Sequence, residues 1–191
     1  KLLSQVCSIV YDSTPVFKNE LVNKHKISSS IHTAKKRYFS ALTNDWDKAN
    51  LGFKDSKFPP EKTIYLSLLK ENGISPIREN AIDVISIDRT STFYKLWRAS
   101  EDFLESAKYE QLKVSELNEL LSKRPFKLKQ GLIDFWVPTF LFLKRDDFAI
   151  FNDESYIPNL SEENLELIAK YPEKYSIKTF DIEGVKLDVF N

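Results

Sequence analysis

The sequence predicts a mainly α chain with small β-hairpins, and three observations carry that expectation. Apolar residues recur at three- and four-residue spacing over most of the chain. Alternating apolar runs are short, concentrated in the last third, and interrupted by turn residues. Hydrophobic residues make up 42% of the chain, with 14 Phe and 8 Tyr against only 4 Gly and 8 Pro, which suits a packed core and excludes a low-complexity chain. A length of 191 residues accommodates one large domain or two small ones.

The N-terminal run KLLSQVCSIV is apolar, but Tyr11-Asp12 follows at once. It lacks the basic leader and longer apolar core of a targeting segment, and reads as an amphipathic helix or buried strand. In TPVFKNELVNK, Thr14 is an expected N-cap and Pro15 the first helical residue, with Phe17, Leu21 and Val22 as the apolar face. After the polar break HKISSS, a second helix is expected from Ser29 to Thr43, its stripe being Ile31, Ala34, Tyr38, Ala41 and Leu42. Two short helices joined by a polar turn form a helix-turn-helix-like unit.

Residues 44–60 read as a loop. A third helix starts near Pro60 and ends with Gly73 as its C′ residue, Ile74 packing back on Leu69. A connector with a short strand at Ala81–Ile87 leads to a fourth helix, Thr92–Lys108, with Phe93, Leu96, Trp97, Phe103, Leu104 and Ala107 inward. Leu112–Val114 is a short strand and Ser115 the cap of a helix stopped by Arg124-Pro125. GLIDFWVPTFLFLKR, residues 131–145, supplies the next helix, bent at Pro138. Its apolar run, Leu132–Leu143, is too short to span a membrane, which takes roughly 20 residues, and it contains Asp134. Asn152-Asp153-Glu154 turns a hairpin; Ser161 caps a further helix, with Leu160 and Leu165 spaced as a hydrophobic staple; a second hairpin turns at Glu183-Gly184. Helix, helix, hairpin is the order of a winged helix. The expected division is a helix-turn-helix-like unit over 1–110 and a winged-helix-like unit over 111–191.

The net charge of zero is unevenly spread. Residues 1–41 hold seven Lys/Arg against two Asp/Glu, a balance of +5, whereas 146–191 hold four against eleven, a balance of −7. Either an anionic partner meets the basic end, or the two ends attract within a larger assembly. With its apolar stripe turned inward, the second helix is expected to present Ser29, His32, Thr33, Lys36 and Arg37, flanked by Lys35, with Lys18, Lys24, His25 and Lys26 just upstream. Cations neutralise phosphates, and hydroxyls donate hydrogen bonds to them. The candidate nucleic-acid contacts are therefore Lys24, Lys26, Ser29, His32, Lys35, Lys36 and Arg37, with double-stranded DNA as ligand. A plain solvated helix face has the same composition. The later hairpin, DDFAIFNDES, carries four acids and no base, which disfavours DNA and favours a protein partner there.

No catalytic residue, metal site or cofactor is expected. Phosphate-binding glycine loops and the G-x-S-x-G elbow are missing, and His25 and His32 do not form a metal-binding pair. The single cysteine, Cys7, excludes an intrachain disulfide and suits a reducing, cytoplasmic setting. An enzyme built on Cys7 with a histidine, or on paired carboxylates such as Asp134, Asp146 and Asp147, is a weaker alternative. Asp134, inside the apolar helix, needs a partner, which Lys127, Lys129, Arg145 or the helix N-terminus could supply.

The runs YDSTPVFKNELVNKHKISS, FPPEKTIYLSLLKENGI and RPFKLKQGLIDFWVPTFLFLKRDDFAIF, followed by YIPNLSEENLELI, span much of residues 11–168. In that order the chain resembles the helical and winged-helix region of large bacterial P-loop ATPases linked to anti-phage defence, of the BREX type. The resemblance implies a non-catalytic DNA- or partner-binding module, ATP being bound by a separate domain; a purely structural interaction or oligomerisation domain is the alternative. The absence of Met, hence of an initiator residue, fits a piece of something longer. The acidic end would then meet a protein partner or the parent ATPase domains.

Overall fold

A computed structural model describes residues 13–79 and 82–179. Helix α1, Ser29–Asn44, forms where the apolar spacing places it, and Ile31, Ala34, Tyr38, Ala41 and Leu42 are buried as that spacing requires. Upstream the outcome differs. Residues 15–24 are not helical, so the helix-turn-helix-like unit lacks its first helix. Thr14 caps nothing; its hydroxyl donates to the Phe126 carbonyl at 2.6 Å. Asn19 gives the backbone a local alternative to the helix. Its side-chain oxygen accepts the Leu21 N–H at 3.2 Å, and its amide donates to Ser67 Oγ at 3.1 Å. Of the expected apolar face, Phe17 and Val22 are buried and Leu21 is exposed.

The loop after α1 contains a 3-10 segment, Ala49–Gly52, before helix α2, Pro60–Leu68. Gly73 adopts φ 64°, Ile74 N–H donates to Leu69 O, and Gly73 N–H to Lys70 O. These are the two bonds of a Schellman motif, and Leu69 and Ile74 are both buried. Where a single strand is expected there is an antiparallel hairpin, β1 (Ser75–Glu79) with β2 (Ile82–Ser86). Helix α3, Tyr94–Ser106, carries Leu96, Trp97, Phe103 and Leu104 inward, and its flanking residues Phe93 and Ala107 are buried as well.

Strand β3, Leu112–Lys113, leads directly into α4, Val114–Ser122. The Glu116 carboxylate accepts the Lys113 N–H at 2.8 Å, so the helix begins before Ser115, which lies in the first turn instead of capping it. Helix α5, Gln130–Leu143, runs through Pro138, and every residue from Gly131 to Leu143 except Asp134 is buried. Trp136 lies edge-on to Phe93 at 5.5 Å and stacks on Phe140 at 6.1 Å. Each such side chain contributes about 1.5–3 kcal/mol by leaving water, which makes α5 the axis of the core.

Strands β4 (Phe148–Asn152) and β5 (Ser155–Ile157) form the expected hairpin, with Asp153 at φ 51° in its turn. Ser161 caps α6, Glu162–Lys170, accepting the Asn164 N–H at 3.2 Å, and Leu160 and Leu165 are both buried. Strand β6, Tyr175–Thr179, inserts between β3 and β4, giving an antiparallel sheet ordered β3-β6-β4-β5. The return strand of the second expected hairpin, and Cys7, lie outside the described residues. The described chain is thus mixed α/β and about half helical, with one hydrophobic core reaching from Phe17 to Ile177. Among the described residues no helix is long and apolar enough to cross a membrane.

Candidate nucleic-acid interface

The basic segment before α1 is held by its apolar members. Val22 and Ile27 are buried, while Lys24, His25 and Lys26 between them are exposed. Its backbone lies directly on the start of α5. Gly131 N–H donates to the Lys24 carbonyl at 2.8 Å, and Lys129 Nζ to the Asn23 carbonyl at 3.2 Å. A Cβ at position 131 would stand 2.3 Å from Val22 O and 2.7 Å from Lys24 O, so only glycine admits this approach.

The same contact brings in a second basic run that the sequence reading did not include, KRPFKLK, residues 123–129. Phe126 and Leu128 anchor it in the core, and Arg124, Lys127 and Lys129 remain exposed. Lys123 pairs with Glu119. Among the described residues Lys24, Lys26, Lys36, Arg124, Lys127 and Lys129 enter no ion pair. Four bases in seven residues was the available signal; what it lacked was the knowledge that the chain at the end of this run, Lys129 to Gly131, lies against residues 22–24.

On α1 the named residues divide. Ser29, His32, Thr33 and Lys36 are exposed as expected. Lys35 is not: it is 8% exposed and faces the core side of the helix. It stands four residues after Ile31 and three before Tyr38, hence on the same face as both. Burial pushes the Lys35 ammonium down from its ordinary value, opposed by the charges of Asp134 and Glu166. Burial pushes Asp134 up, opposed by a 2.7 Å hydrogen bond from Gln130 and by the charges of Lys35 and His32. Asp134 is thus served by Gln130, Lys35 and His32 instead of Lys127, Lys129 or Arg145. Arg37 is largely exposed, but it reaches 3.6 Å to the buried Glu61, whose Oε2 accepts no hydrogen bond. Its cation is partly committed within the molecule.

The candidate exposed cations named above come from three segments: Lys24 and Lys26 before α1, Lys36 on α1, and Arg124, Lys127 and Lys129 before α5. No protein-family model, curated protein or solved structure matches this chain.

Proposed function

We propose that this chain is a non-catalytic module that grips the phosphate backbone of double-stranded DNA for a larger bacterial defence protein of the P-loop ATPase kind. The observation that carries the reading is the seating of Lys24 against Gly131, which joins two basic runs distant in sequence. In this reading Lys24, Lys26, Lys127 and Lys129 supply the main charge, Arg124 and Lys36 extend it, and Ser29 and His32 at the start of α1 donate hydrogen bonds. The charge of the buried Lys35 is balanced by Asp134 and Glu166 within the molecule, and Arg37 is shared with Glu61. The order α4, α5, β4–β5 is taken as winged-helix-like, with α5 as the structural helix, since its buried faces leave no side for a groove.

The test is fluorescence anisotropy of a labelled duplex across a salt series, beside a variant with Lys24, Lys26, Lys127 and Lys129 changed to Glu. Binding that weakens steeply with salt and is lost in the folded variant is the expected result. No binding by the unaltered chain at low salt would overturn the reading. A protein-interaction role is the second reading, favoured by Asp153 and Glu154, which are exposed and enter no ion pair among the described residues.

A further inference from the structure

At the C-terminal end of α5, away from the basic runs, a cleft of about 330 Å³ opens between that helix, the end of α1 and the β4–β5 hairpin. Its volume is at the lower end of the range for small-molecule sites, roughly 300–1,000 Å³. Trp46, Phe142, Ile150, Tyr156 and Leu160 give it aromatic and aliphatic walls. Trp46 lies edge-on to Phe142 at 6.4 Å, and Tyr156 is 58% exposed.

Two consecutive residues of opposite charge, Arg145 and Asp146, also line this cleft. Arg145 is fixed twice over: Nη1 donates to the Phe142 carbonyl at 2.8 Å, and the guanidinium carbon lies 4.3 Å from the centre of the Phe142 ring. No other side-chain hydrogen bond and no ion pair holds its guanidinium among the described residues, so the remaining N–H groups are left to donate to a ligand. Asp146 makes no hydrogen bond or ion pair there either. A guanidinium fork suits a carboxylate, and an unengaged aspartate suits an ammonium.

We infer that the cleft binds a free α-amino acid with a large apolar side chain. Its carboxylate meets Arg145, its ammonium meets Asp146, and its side chain lies against Trp46 and Leu160. A single α-amino acid carries both charges on neighbouring atoms beside an apolar group. A residue inside a peptide carries neither charge on its backbone, which sets a threaded peptide apart from this ligand.

The test is NMR titration of the folded chain with L-phenylalanine, 3-phenylpropionate and 2-phenylethylamine, the last two each lacking one charge. L-Phenylalanine is expected to shift the Trp46 indole and Arg145 amide signals with a Kd of about 1 mM or tighter. Each one-charge analogue is expected to bind about tenfold more weakly, as loss of one charge-assisted hydrogen bond implies. Arg145→Gln is expected to abolish the advantage over 2-phenylethylamine, and Asp146→Asn the advantage over 3-phenylpropionate. Both sites lie at the surface, and unchanged amide spectra elsewhere identify variants that keep the fold. Equal binding of the three compounds would overturn the inference, as would no shift with L-phenylalanine, L-leucine or L-tryptophan.

Discussion

Gly131 gives its amide hydrogen to the carbonyl of Lys24, and the absence of a side chain at 131 is what lets the two backbones meet. Gly131→Ala tests this contact. Alanine gains about 1 kcal/mol of helix propensity over glycine. The added methyl, however, would stand 2.3 Å from a backbone carbonyl that cannot swing aside, and overpacking costs about 1–3 kcal/mol before any lost hydrogen bond. Net destabilisation of about 1–2 kcal/mol is expected in urea melts, where a more stable variant would refute the account.

The pair on α1 and α5 calls for a double-mutant cycle. Asp134→Ala leaves the buried Lys35 with Glu166 as its counter-charge, and Lys35→Met leaves Asp134 with Gln130 and His32. Each single change is expected to destabilise, Asp134→Ala by about 1–3 kcal/mol. The double change is expected to cost less than their sum, because replacing a buried charged pair by apolar groups is often neutral or stabilising. Strict additivity in denaturant melts would show that the two groups do not interact.

Asp134 also gives a pH dependence with a definite sign. Burial holds its folded pKa above the ordinary aspartate value of 3.8, so the folded state binds the proton more tightly than the unfolded chain. The wild type is therefore expected to gain stability relative to Asp134→Asn as pH falls through the raised folded value towards 3.8. Above the folded value the difference should be flat. Paired melts at successive pH values would read this directly, and a relative loss on acidification would contradict it.

In the core, Trp136 Nε1 donates to Ser100 Oγ at 3.1 Å, and Ser100 Oγ donates to the Leu96 carbonyl at 2.9 Å. Trp136 and Ser100 are both fully buried. Ser100→Ala leaves the indole N–H without that acceptor, and a loss of about 1–3 kcal/mol is expected by calorimetry. In a Trp136→Phe background the same change should cost less, since no indole remains to be satisfied.

If the basic runs hold DNA, their members will not be equal. Lys24, Lys26, Lys127 and Lys129 changed singly to Gln should each reduce the slope of log affinity against log salt by about 0.9. Lys35→Gln should leave that slope nearly unchanged, because its amine is inside, and Arg37→Gln should have a smaller effect through its tie to Glu61. The same slope loss in all six would mean that position on the fold is irrelevant to binding.

Local signals were read well where one element decides the outcome. The α1 stripe, Gly73 as the C′ residue, the inward face of α3 and the Ser161 cap all depend on residues a few positions apart. What failed was set at long range. Thr14 looks like a helix-start residue until the Phe126 carbonyl is there to take its hydroxyl, and Asn19, inside the expected helix, bonds to Ser67 instead. Insertion of β6 between β3 and β4 depends on edges formed by distant segments. Lys35 is a different case: its spacing from Ile31 and Tyr38 already placed it on the buried face, but its charge argued for solvent. The basic segment 123–129 was visible as composition, yet its place beside Lys24 was not.

The partnership of distant segments has a consequence in time. Thr14 finds its acceptor 112 residues later, and Tyr38 meets Thr139 across 101 residues. At translation rates of about 5–20 residues per second, α1 and the loop before it wait about 5–20 s for α5 to be made. During that interval Val22, Ile31, Tyr38 and Phe39 have no finished core to enter. Until α5 is made these apolar side chains stay open to solvent, and its arrival completes the core that takes them in.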